Sequence, residues 1–186
     1  MPHSERKRVE TFHTLANDIQ LEIHTTIAGV DSDQIDTLVA ALRQARRIFL
    51  TGNGRTGLQM RAFAIRLMHL GLKTHVVGEA TTPAIDKQDL LLIGSCTGTN
   101  ISHIHYSSRS LQVGARTILI TANAKTPLRK IVSHVLYIPA SSSSRQPLGS
   151  LFEGTLNVVL DALVLQLMKL LDVNESEMAA RHANLE

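Results

Sequence analysis

Apolar residues recur at spacings of three and four along the first quarter of the chain. Val9, Phe12, Leu15, Ala16, Ile19 and Ile23 make one such stripe within residues 1–26, and Ile35, Leu38, Val39 and Leu42 make a second. This period predicts two amphipathic helices, the first after a few charged, frayed residues. From residue 46 the pattern changes. Short apolar runs, IFL (48–50), THVVG (74–78), DLLLIG (89–94), RTILITA (116–122) and HVLYIP (134–139), alternate with helix-length segments. The runs are continuous rather than alternately polar, as strands covered on both faces require, and their alternation with helices predicts βαβ units in a five-stranded parallel sheet. Helices are predicted between strands at 57–70, 100–113 and 126–132, the last opened by Thr126-Pro127, a capping residue and a first-turn proline.

After Pro139 the polar run ASSSSRQPLGS predicts a flexible loop of the kind that covers a site. A long helix comes next, from about Leu151 to Leu171, apolar nearly all round, and then a short one at 175–184. An all-round apolar helix is buried on most faces, which predicts subunit association. The chain reads as one unit over 1–186, with a helical arm (1–30), a sheet core (46–140) and C-terminal helices (150–186).

Composition narrows the function. With 44% hydrophobic residues, no run of about 18 uninterrupted apolar residues, and a start, MPHSERKRVE, lacking the apolar stretch of a signal peptide, the expectation is a cytoplasmic protein with no membrane partner. The single cysteine, Cys96, excludes an intrachain disulfide and agrees with a reducing compartment. A net charge of +3 favours anionic partners, but aromatic residues are only 3% and the basic residues are scattered, so small anionic molecules are expected rather than nucleic acid.

Three junctions carry candidate chemistry. In TGNGRTG (51–57), Gly52 and Gly54 permit a tight turn, while Arg55 and Thr56 offer a fork of donors and a hydroxyl at a helix start. Gly57 comes one residue early for G-x-G-x-x-G and no acidic residue ends the next strand, although Glu79 lies near it; a dinucleotide turn and a plain βα connection remain as alternatives to a phosphate site. In GSCTGTN (94–100), Ser95, Thr97, Thr99 and Asn100 surround Gly98, a hydroxyl-rich nest that needs no lysine; the nucleotide P-loop pattern is missing. In PLGSLFEGT (147–155), Glu153 stands at the start of the apolar helix beside Leu151 and Phe152, either as a dipole partner or as a carboxylate whose partial burial raises its pKa toward a general base's range. His103 and His105, two apart on one predicted helix, point to different sides and do not make a metal pair; His69 reads as a helix-end residue.

These motifs together resemble those of the 6-phospho-3-hexuloisomerase family of the sugar isomerase (SIS) domain superfamily. GNGRTG is similar to its G-x-G-R-S-G; RAFAIRLMHLG (61–71), VVGEATTPAI (76–85), PLGSLFE (147–153) and the ending RHANLE also match, so the likeness spans nearly the whole chain. The resemblance implies a three-layer αβα sandwich of flavodoxin-like type and a tetramer of tightly packed dimers with sites at subunit interfaces. It further implies interconversion of D-arabino-hex-3-ulose 6-phosphate and fructose 6-phosphate in the ribulose monophosphate route of formaldehyde fixation, without metal or organic cofactor. By position in the motifs, Glu153 is the expected base and Arg55 the stabiliser of an enediolate oxygen. Ser95, Thr97, Asn100 and Thr56 are expected on the phosphate, and Asn53 and Gly54 on the substrate. His182, in the terminal motif, is expected to assist proton transfer in a neighbouring subunit's site, with helix-end packing as the plainer alternative.

The chain departs from the family in its second loop, where S-G-S-G-E-T is replaced by SCTGTN (95–100), with Cys96 at a glycine position. The altered loop leaves two further readings: a sugar-phosphate sensor that keeps the fold without the chemistry, and an isomerase of another sugar phosphate.

Overall fold

The computed structural model describes residues 10–185, so Val9 of the first predicted helix and Glu186 of the terminal motif lie outside the described residues. Among the described residues six helices, α1 (Phe12–Ala28), α2 (Ser32–Gln44), α3 (Gly54–His69), α4 (Ile101–Gln112), α5 (Ser150–Leu171) and α6 (Glu175–Ala180), accompany five strands: β1 (Ile48–Gly52), β2 (Thr74–Val76), β3 (Leu90–Gly94), β4 (Arg116–Thr121) and β5 (His134–Tyr137). Every pairing is parallel and the order is β2-β1-β3-β4-β5. The helices start where their caps dictate: Thr11 accepts from the Thr14 N–H, Asp31 from Asp33 and Asn100 from Ser102, while Asn174 and Glu177 form a capping box.

The sheet separates two cores, giving the three-layer sandwich. On one face α2, α3 and α5 pack Leu38, Leu42, Met60, Phe63, Phe152 and Leu156 against Leu50, Leu92 and Ile118. On the other a smaller cluster, Phe49, Leu91, Ile93, Leu119 and Leu128, is covered by α4 and the segments flanking it. β3 is buried at every position, which its sequence LLLIG anticipates.

Three predicted elements need correction. The expected helix at 126–132 is a single 3₁₀ turn, Pro127–Lys130, closed by bonds that span three residues, from the Arg129 N–H to the Thr126 carbonyl and from the Ile131 N–H to the Leu128 carbonyl. The terminal helix stops at Ala180 rather than 184. β2 stops at Val76 because the chain turns at Gly78, whose φ is +96°.

The topology fixes where a ligand site can form. The chain leaves β1 through α3 toward β2 on one side and returns to β3 on the other, so the order reverses between β1 and β3, and Gly52 pairs with Gly94 at their carboxyl ends. That crevice is where open α/β sheets bind ligands.

Candidate active site

The crevice is built by close backbone approach. A Cβ on Gly57 would stand 2.4 Å from the Gly52 carbonyl oxygen, so α3 rests on the end of β1 only because residue 57 has no side chain. The turn leaves Asn53, Gly54 and Arg55 exposed and buries Thr56.

Arg55 joins the first junction to the third. Its Nε lies 2.9 Å from Oε2 of Glu153, its Nη1 donates to Ser150 Oγ at 3.0 Å and its Nη2 to the Leu148 carbonyl at 2.8 Å. The Thr56 hydroxyl reaches the other Glu153 oxygen at 3.4 Å. The Glu153 side chain is 16% exposed, so the carboxylate is largely enclosed yet reachable. The segment before it is bent for this purpose: Leu148 (φ +57°) and Gly149 (φ +80°) are both left-handed, which turns the Leu148 carbonyl toward Arg55 ahead of α5.

The second junction stands across a cavity of about 480 Å³ whose walls include Cys96, Thr97, Asn123, Gln146, Leu148 and Phe152. Its candidate residues are not equivalent. Ser95 is buried and its Oγ accepts from the Gly98 N–H at 3.1 Å, holding the loop's shape. The Asn100 side chain caps α4 by accepting from Ser102 at 2.9 Å. The hydroxyls of Thr97 and Thr99, 3.0 Å apart, are exposed at the loop's edge. Cys96 fits at its glycine position without left-handed strain, since the loop's positive φ falls on Gly98. Its sulfur packs against Gly149, and burial, then the Glu153 carboxylate, pushes the thiol pKa up.

His182 does not join this constellation within the chain. It stacks on His69 at 5.1 Å between ring centroids, while Arg181 donates to the His69 carbonyl at 2.9 Å, so the terminal motif docks on the far end of α3. Along that helix His69 is roughly 20 Å from Arg55. Burial, then His182 and Arg66, lower the His69 pKa. Sequence reasoning missed Ser150 and the Leu148 carbonyl as partners of Arg55, and Asn123, whose Nδ2 donates to the Thr97 carbonyl at 2.8 Å. PLGS did signal a turn, but only the left-handed Leu148 shows which carbonyl it presents. Among the described residues no group of three or more His, Cys, Asp or Glu is placed to hold a metal ion.

A five-stranded parallel sheet of order β2-β1-β3-β4-β5, with an acid–arginine pair and a hydroxyl-bearing loop at its switch point, defines the chain as a doubly wound α/β protein. Residues 41–169 match the SIS domain. The chain belongs to the SIS domain family. It is 40% identical to a 3-hexulose-6-phosphate isomerase of Mycobacterium gastri over 92% of each chain. It is 34% identical to one of Bacillus subtilis over 91% of this chain and 96% of that one. A crystal structure from Methanococcus jannaschii, for which a 3-hexulose-6-phosphate isomerase function was inferred, superposes with a TM-score of 0.83 at 32% identity, covering 96% of this chain and all of the other.

Proposed function

We propose that the protein is a cytoplasmic isomerase interconverting D-arabino-hex-3-ulose 6-phosphate and fructose 6-phosphate, with Glu153 as its base. The observation that carries the reading is the Arg55–Glu153 pair at the switch point, held beside the 147–152 segment that, with Cys96 and Thr97, lines a cavity. Similarity to relatives bearing the isomerase name over nine-tenths of the chain supports the substrate.

The reaction is set by the chemistry of adjacent carbons. Glu153 removes the C2 proton of the 3-ulose, and the electron pair left on C2 forms the C2–C3 double bond as the C3 carbonyl oxygen takes the negative charge. Arg55, displaced from the carboxylate by substrate, stabilises that oxygen. The C2 hydroxyl proton passes to the C3 oxygen, and Glu153 returns its proton to C3, leaving a carbonyl at C2. One carboxylate serves both transfers, and the cycle as written calls on neither metal nor organic cofactor. The phosphate is held by Thr97 and the α4 start, with Ser95 and Asn100 shaping that loop and Thr56 beside the carboxylate, while Asn53 and Gly54 border the sugar. His182 of a neighbouring subunit assists the hydroxyl-to-oxygen proton transfer.

That last role requires an oligomer, proposed here as a dimer of dimers. Exposed apolar side chains on three neighbouring helices support it: Phe12 (77%) on α1, Leu58 (66%) on α3 and Leu165 (59%) on α5. Supplying purified protein with hexulose 6-phosphate and measuring fructose 6-phosphate tests the reading. Thermal stabilisation by sugar phosphates without turnover would replace it with the sensor reading.

A further inference from the structure

The loop that walls the cavity is fastened from outside the site. Among the described residues, every hydrogen bond leaving 141–146 for another element ends on α1 or on Glu10 just ahead of it. Glu22 takes three of them: from the Ser144 hydroxyl at 2.9 Å, the Arg145 N–H at 3.1 Å and Gln146 Nε2 at 2.9 Å. The Arg145 guanidinium adds pairs with Glu10 and Asp18, both at the surface. The remaining bonds of the loop, such as Ser143 N–H to Ser141 Oγ, are internal.

The turn directly after the fastened segment is the part that handles Arg55. Leu148 is left-handed, and its side chain is 91% exposed, so packing of that side chain does not hold the turn. A non-glycine residue keeps such a conformation only where its surroundings over-determine it. Here Arg55 holds the turn from the site side, through the Leu148 carbonyl and Ser150, and Glu22 holds the preceding residues from α1.

We propose that Glu22 is a positioning residue for the active site: by gripping Ser144, Arg145 and Gln146 it sets the 147–150 turn, which in turn aims Arg55 at Glu153. Glu22 touches no reacting atom and acts through the loop. The inference rests on the assignment of Glu153 and Arg55 to the site.

Two readouts test it. Glu22→Ala is expected to lower kcat/KM by roughly tenfold to a hundredfold, with most of the loss in kcat, the size that a misplacement near one ångström produces. Glu22→Gln, which keeps an acceptor for the loop, is expected to restore most of that loss. In Glu22→Ala, trypsin is expected to cut after Arg145 under conditions that spare the wild-type protein, a readout independent of activity. Should Glu22→Ala fail to fold, the double variant Ser144→Ala, Gln146→Ala removes the same contacts from the loop side and is expected to show the same kcat loss. Wild-type kcat in the folded variants would overturn the proposal whatever the trypsin pattern, as would equal losses in Glu22→Ala and Glu22→Gln. Glu153→Gln is the parallel control: if it stays active, the site assignment has failed; if it is dead while Glu22→Ala is fully active, the positioning role alone has failed.

Discussion

Two carboxylates in this molecule face arginines at opposite ends of the sheet, and they are built differently. Asp89, just ahead of β3, has a side chain with no exposure; it accepts from Arg47 through both Nε (3.1 Å) and Nη2 (2.6 Å), from Arg46 Nε (3.2 Å) and from the Asp86 N–H (2.8 Å). Arg46 Nη2 adds a longer bond at 3.4 Å, so its lone pairs are spoken for by a bidentate fork and three further donors. Glu153, at the carboxyl end, receives a single Arg55 nitrogen and a distant threonine hydroxyl, because the other Arg55 nitrogens are engaged by Leu148 and Ser150. A saturated carboxylate ties together the starts of β1 and β3. An unsaturated one beside a cavity keeps oxygen lone pairs available for a proton, and a single arginine contact is one that a substrate can displace.

Exchanging the readouts of the two sites gives the largest expected effects. Glu153→Gln should lower kcat by about 10²–10⁴-fold, the usual contribution of a positioned acid–base group, while leaving the melting curve close to that of the parent. Asp89→Asn should do the reverse: weakening a carboxylate's charge-assisted hydrogen bonds to arginines that stay partly exposed costs about 1–3 kcal/mol, read as a lower unfolding midpoint, with kcat per folded molecule preserved. An Asp89→Asn protein that melts normally but has lost turnover would break the contrast.

Only half of this contrast is visible in the sequence. IFL, DLLLIG and RTILITA are long enough and apolar enough to be strands in any context, and the glycine turn after β1 announces the crevice. Arg55, Thr56 and Glu153 stand out by residue type and motif, and the fold brings them together. Local pattern does not show which polar groups the backbone uses itself. Ser95 and Thr97 look alike in sequence, but one hydroxyl is buried on the Gly98 N–H and the other is exposed. Thr126-Pro127 is a valid helix start by local chemistry, yet Thr126 also donates to the Gly98 carbonyl at 2.6 Å, and the chain closes after one turn. Asp89 carries no signal of its own, because two arginines some forty residues away give it its role.

The acid limb of stability sharpens the comparison further. For Asp89, burial works to raise the pKa, but hydrogen bonds from Arg47, Arg46 and the Asp86 N–H outweigh it and hold the group below its ordinary value. Its contribution is therefore present above about pH 3.9 and is lost as pH falls through the folded value. His103, on α4, is 1% exposed with neither ring nitrogen hydrogen-bonded among the described residues, and burial lowers its pKa. The unfolded chain takes up that proton near pH 6.5 while the folded chain resists it, so stability starts to fall as pH drops below about 6.5. His69 and His75, also lowered chiefly by burial, add to this first step. Melting curves from pH 8 to 3 should show two losses. His103→Leu should shrink the first and leave the second, and at pH 7 it should be neutral or stabilising by about 1 kcal/mol, since it removes buried polar atoms without partners. A strongly destabilised His103→Leu would show that the ring is held by something other than packing.

The smallest expected effect uses Cys96, the chain's single thiol, as a reporter of the Glu153 charge. Burial is the larger cause of its raised pKa and the carboxylate the second, so alkylation at pH 7 should be slow. Glu153→Gln removes only the second cause: the thiolate fraction rises and alkylation should quicken by about a fewfold. Asp89→Asn should leave the rate unchanged, because Asp89 precedes β3 and Cys96 comes after it, roughly 20 Å apart along the strand. An equal rise in both variants would mean that loosening, not charge, governs the thiol. A rise confined to Glu153→Gln would place the carboxylate's field at Cys96, the position where this chain departs from the glycine of the motif it otherwise resembles.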